Sequence, residues 1–183
     1  MGSSVKDYQE NFFHTVAQQE WHCPICGMLL SHHGYYSRIV IGDDGPNLIL
    51  IFRGRCEDCD KTHAILPDFI APYRRYLMPV ISQAVEIIME EEIPPEQVSG
   101  PQDICTARRW HHRFSLICNE AIGFLTSIAV KTTGQMPTLI GNDLSSSWQL
   151  LKTALFALPS ILSTSIMGAV NIWLTRDTVD LWL

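Results

Sequence analysis

Three observations in the 183-residue sequence predict an α+β fold, with strands first and helices after. Two Cys-x-x-Cys pairs, Cys23/Cys26 and Cys56/Cys59, flank a stretch rich in β-branched and aromatic residues. From about residue 79 the apolar residues recur with helical spacing. After residue 120 the pattern is helical and apolar. The chain therefore divides into an N-terminal segment (1–19), a ribbon (20–62), a connector (63–78), a helix-turn-helix (79–119) and C-terminal apolar helices (120–183).

The ribbon rests on its cysteines. Two Cys-x-x-Cys pairs supply four soft thiolates for tetrahedral zinc, each pair forming a tight knuckle whose sulfurs face one ion. Gly27 follows the first pair, where the knuckle turn favours a positive φ. Asp60 holds the matching place in the second, and Asp tolerates that conformation better than most residues. Between the pairs, YYSRIVIG and NLILIFRGR flank the turn-forming run GDDGPN, which predicts a β-hairpin that joins the knuckles. A redox dithiol would need a strand, one Cys-x-x-Cys at a helix start and a larger α/β domain behind it. None of these follows Cys26. Four ligands close the site, so Zn2+ is expected to hold the fold and not to activate water. Histidines 22, 32, 33 and 63 also lie near the cysteines, and His63, four residues after Cys59, is the credible substitute ligand among them.

Composition limits the function. Apolar residues make up 46% and charged residues 17%, which is globular and not disordered. The net charge of −6 excludes indiscriminate coating of nucleic acid, so any such role needs a local basic patch. The first twenty residues lack a basic start and an uninterrupted apolar core, so no secretory signal is expected. Six cysteines without one point to a reducing, cytoplasmic setting.

Two basic spots stand out. Arg74 and Arg75 lie between tyrosines in the proline-rich connector THAILPDFIAPYRRYLMP. The helix PVISQAVEIIMEEE follows, with Pro79 near its start, and PPEQVSG reads as a single helical turn. A second helix is expected at about 101–118, with Pro101 at its first position and Asp103 in its first turn. Its periodicity puts Ile104, Ala107, Trp110, Phe114, Ile117 and Cys118 on a buried side. Arg108, Arg109 and His112 fall opposite, with Arg113 at the margin. Such an arrangement suits a helix that reads double-stranded DNA, with Arg74 and Arg75 on phosphates.

The motifs CPICG, RCEDCDKTHAILPDFIAPYRRY and TARRWHHRF resemble an uncharacterised family of bacterial proteins associated with mobile elements. That family pairs an N-terminal zinc ribbon with a helix-turn-helix and is similar to the front ends of insertion-sequence transposases. The resemblance covers about residues 20–118. It implies Cys23, Cys26, Cys56 and Cys59 as zinc ligands and the helix with Arg108 to Arg113 as the DNA reader. Asp60 departs from the usual knuckle glycine. The nuclease of such transposases needs three carboxylates on an RNase H-like fold, for which there is no room. The acids at 57, 58, 60 and 68 crowd the ribbon and those at 90–92 are consecutive, so neither group forms a two-metal site. No enzyme activity is expected.

The C-terminal helices carry the partner expectation. Trp148, Leu151, Leu155 and Phe156 form a stripe, and Pro159 would start a further helix. Residues 153–175 hold no charge and could span a bilayer. Their serines, Thr164, Asn171, Pro159 and Gly168, with no flanking basic cluster, favour a core or subunit-interface helix over a membrane span. A homodimer through the helices at 144–175 is expected.

Overall fold

The chain, a computed structural model, is described at residues 4–137, 144–159 and 165–176. Among these residues the fold is mixed α/β: a three-stranded antiparallel sheet and five α-helices. β1 (Ser31–Gly42) and β2 (Gly45–Cys56) form the expected hairpin around Asp43 and Asp44. Gly42 pairs with Gly45 and Ser31 with Arg55. Strand alternation sends Val40, Ile49 and Ile51 into the core. Ile39 and Leu48, paired on the opposite face, stay 59% and 60% exposed. β3 (Lys61–Ile65) pairs with Phe52–Cys56 on the other side of β2, so the predicted connector begins as a strand.

β3 is short, which leaves residues 45–51 of β2 unpaired on that side. An open edge presents polar backbone groups that need partners. α1 (Val5–Asn11), capped by Ser4 and continued by a π-helical turn at Phe12–Val16, supplies two. The Tyr8 hydroxyl donates to the Leu50 carbonyl at 2.8 Å, and the Gln9 amide to that of Leu48 at 2.6 Å. Tyr8, Phe12 and Val16, four residues apart, are buried.

α2 (Met78–Glu90) starts with Pro79 in its first turn, where its missing N–H costs nothing. Residues 91–103 then link it to α3 through a 3₁₀ turn at Pro95–Gln97. This link is longer than the turn of about three or four residues in a simple helix-turn-helix.

α3 (Ile104–Thr133) corrects the expected helix at both ends. Asp103 is its N-cap and not a first-turn residue, accepting from the Thr106 N–H at 2.8 Å. Ile104, expected to be buried, is half exposed as the first residue of the helix, while Thr106 and Ala107 after it are buried. The apolar stripe does not stop at Cys118. It continues through Ala121, Ile122, Leu125, Ile128 and Ala129, and the helix ends at Gly134 in the left-handed conformation.

α4 (Leu144–Phe156) packs on α3, and α5 (Ile166–Arg176) on α2 and α3. Trp148, Leu151 and Ala154 are buried with Met167, Val170 and Trp173. Phe156, placed in the same stripe from sequence, is instead 72% exposed. No single helix covers 153–175. The helix start expected at Pro159 falls beside residues 160–164, which lie outside the described residues. α3 is the described helix long and apolar enough to cross a membrane; here it packs against α2, α4 and α5.

An acid at the C-terminal end of a helix is unfavourable against the helix dipole, and α2 ends at Glu90. Glu90 is compensated from α4. Its carboxylate accepts from Trp148 Nε1 at 3.1 Å, from Gln149 Nε2 at 3.2 Å and from Lys152. The Lys152 ammonium holds the Glu90 carboxyl below its ordinary pKa. One continuous set of buried side chains runs from Tyr8 through the sheet and helices to Trp173. A separate small cluster holds Cys23, Leu30 and Cys56.

Candidate metal centre and basic groove

The first knuckle is a closed turn. The Gly27 N–H donates to the Cys23 carbonyl at 2.9 Å and the Cys23 N–H to that of Met28 at 2.7 Å. Gly27 has φ 76°, the conformation its place after the Cys-x-x-Cys pair requires. The Ile25 N–H approaches the Cys23 sulfur at 3.4 Å. Asp60 in the second knuckle has φ 50° without being glycine. Its carboxylate meets Arg55 at 2.6 Å across the β2–β3 turn, which accounts for an acid at this strained place. The knuckles come together because β2 passes close to Leu30. A Cβ at Gly54 would lie 2.8 Å from the Leu30 Cβ, so only glycine fits there.

All four sulfurs lie within 4.8 Å of one another. Cys26 and Cys56 are 3.5 Å apart, and Cys23 and Cys59 4.0 Å. Tetrahedral zinc with sulfurs at about 2.3 Å needs sulfur–sulfur distances of about 3.8 Å, so the donor set fits. The proton chemistry agrees. Burial alone would raise the Cys23 pKa, but the N–H groups of Cys26 and Ile25 outweigh it and lower the thiol to about 6. The thiol hydrogen bond with Cys26, then burial, pushes Cys59 up to about 12. Four thiols this close cannot all ionise unless a cation compensates their charge. His63 Nε2 lies 3.5 Å from the Cys23 sulfur, beside the four-thiol set.

Arg108, Arg109, His112 and Arg113 are all exposed on α3, but the first two are engaged by neighbours. The Arg108 guanidinium pairs with Glu96 on the 3₁₀ turn, with Nε donating at 2.6 Å. Arg109 donates to the Cys105 carbonyl at 3.3 Å and to the Thr106 hydroxyl at 3.0 Å. The connector closes the distance between the two basic spots. Tyr76 packs edge-on against Trp110, ring centres 5.0 Å apart, and so holds Arg74 near the start of α3. Burial, then the neighbouring guanidinium groups of Arg113 and Arg109, lowers the Arg74 pKa. A concavity of about 340 Å³ collects Arg74, Arg75 and Arg109, with Asp103 as its acid. That carboxylate is engaged in capping α3.

Residues 23–110 match the family model described as a domain of unknown function (DUF6431). The matched segment contains all four cysteines, the connector and the first turns of α3. No curated protein and no solved structure matches the chain. Sequence reasoning did not single out Tyr73, which borders the Arg74–Arg75–Arg109 concavity. It follows a proline in an aperiodic segment, so no local pattern marked it.

Proposed function

We propose that the chain is a DNA-binding protein whose N-terminal module is held by one structural zinc ion on Cys23, Cys26, Cys56 and Cys59. In this reading it serves as a transposase-like accessory or a transcriptional regulator without its own nuclease. α2, the link and α3 act as the helix-turn-helix. The observation that carries the reading is the concavity that brings Arg74 and Arg75 together with Arg109, cations some thirty-five residues apart in sequence. Like charges held together in an acidic protein are compensated when a polyanion binds. Arg109, His112 and Arg113 would then address a groove while Arg74 and Arg75 contact phosphates.

The test is selection of bound duplexes from a random pool with the zinc-loaded chain, followed by affinity measurements over a range of salt. Arg109→Ala should cost about 1–3 kcal/mol and relax preference at one base position. Arg75→Ala should weaken all sequences alike and flatten the salt dependence. Two chains per bound site would agree with the proposed homodimer. That dimer would have to use what the C-terminal helices leave exposed, such as Phe156. Binding of every duplex unchanged by both substitutions would overturn the DNA reading. The rival, a zinc-stabilised protein-interaction module, draws on Ile25, Met28 and Leu29, which are exposed around the first knuckle.

A further inference from the structure

A second, larger groove of about 800 Å³ lies between the first knuckle, the sheet and the connector. Tyr36, Ile65 and Leu66 give it an apolar lining, and Arg74 and Arg75 contribute cations. Tyr73 borders both this groove and the concavity against α3. Its side chain is fully exposed, and its backbone is left-handed at φ 59°, which is unusual for a bulky residue. The surrounding chain holds it there. The Arg38 guanidinium donates to the Ala71 carbonyl at 3.3 Å and to the Arg74 carbonyl. The Ile41 N–H donates to the Arg75 carbonyl at 2.9 Å. A strained backbone that presents an aromatic ring to water is a feature found at ligand sites.

An aromatic face beside arginines fits a nucleobase with its phosphate, provided the base is not already stacked in a duplex. We propose that this groove takes an unpaired nucleotide next to duplex DNA, its base on Tyr73 and its phosphate on Arg74 and Arg75. The proposal rests on the DNA-binding reading and adds a substrate class: duplex with a frayed or single-stranded end.

The experiment takes a duplex recovered in the selection above and compares its blunt form with the same duplex carrying a short oligothymidine tail, using the full zinc-loaded chain. A tail containing 2-aminopurine reports stacking by fluorescence quenching. The tailed duplex should bind about tenfold more tightly, and its fluorescence should fall on binding. Tyr73→Asn, which keeps a residue tolerant of the left-handed backbone, should erase the preference. Tyr73→Phe should retain it. Equal binding of blunt and tailed duplex by the parent chain, or a preference that survives Tyr73→Asn, overturns this inference alone. Failure to bind either DNA overturns the DNA-binding reading, and this inference with it.

Discussion

Around the four cysteines, the separate buried cluster contains only Cys23, Leu30 and Cys56, with Trp21, Cys59 and Ile65 packed beside it. In the helical part, α3 alone buries Trp110, Phe114, Cys118, Leu125 and Ile128 along one side, against α2, α4 and α5. The first region has little apolar surface to fix two knuckles, whereas the second buries a long stripe of side chains. If the four sulfurs hold zinc as proposed, stability in this molecule has two sources, and each can be removed separately.

The largest effect should follow removal of the metal. The protein purified without chelator should hold one zinc per chain by elemental analysis, and Cys56→Ser should lose it. Chelation should raise amide exchange around the knuckles and the adjoining ends of β1, β2 and β3, while the amides of α3 stay protected. Simultaneous loss of protection in both regions would break the comparison. The next effect is in the helical core. Phe114, buried against Trp148 with ring centres 5.4 Å apart, should cost about 3–5 kcal/mol on replacement by Ala. Denaturant unfolding measures this, and the zinc content of the folded variant should be unchanged.

The smallest effect sharpens the helical side. Glu90→Gln should cost about 1–2 kcal/mol at neutral pH, because it replaces a charged acceptor of three donors from α4. The folded pKa of Glu90 is depressed below the ordinary 4.5. Its stabilisation is therefore present above that value and is lost as pH falls through the folded pKa. The penalty of Glu90→Gln should shrink on acidification over that window. A penalty constant with pH would mean that packing, and not charge, joins α2 to α4.

The cysteine cluster was legible because ligand spacing is a local chemical requirement, as were the hairpin and the positive φ after each knuckle. Trp110 and Phe114 were legible as core from helical period alone. The far end of α3 was not. Its stripe continues past Cys118, but the polar Asn119 and Glu120 resemble an ending, and the real stop is Gly134. α1 and β3 were missed for a different reason. Both are short and stabilised by what they cover or pair with, the open and closed parts of the β2 edge. The partners of the arginines were also invisible in the sequence: Glu96 takes Arg108 out of the basic group, and Tyr76 on Trp110 brings Arg74 into it.

The uninterrupted run of α3 carries the buried core past the end of the family match. The family match stops at residue 110, inside that helix, while the buried stripe continues to Ala129. The match also begins after Tyr8 and Gln9, which donate to the open edge of β2. The matched segment taken alone would expose Trp110 and the apolar side of α2 to water. The boundary of the family match and the boundary of the buried core thus differ in this protein, and expressing 23–110 by itself would test an incomplete object.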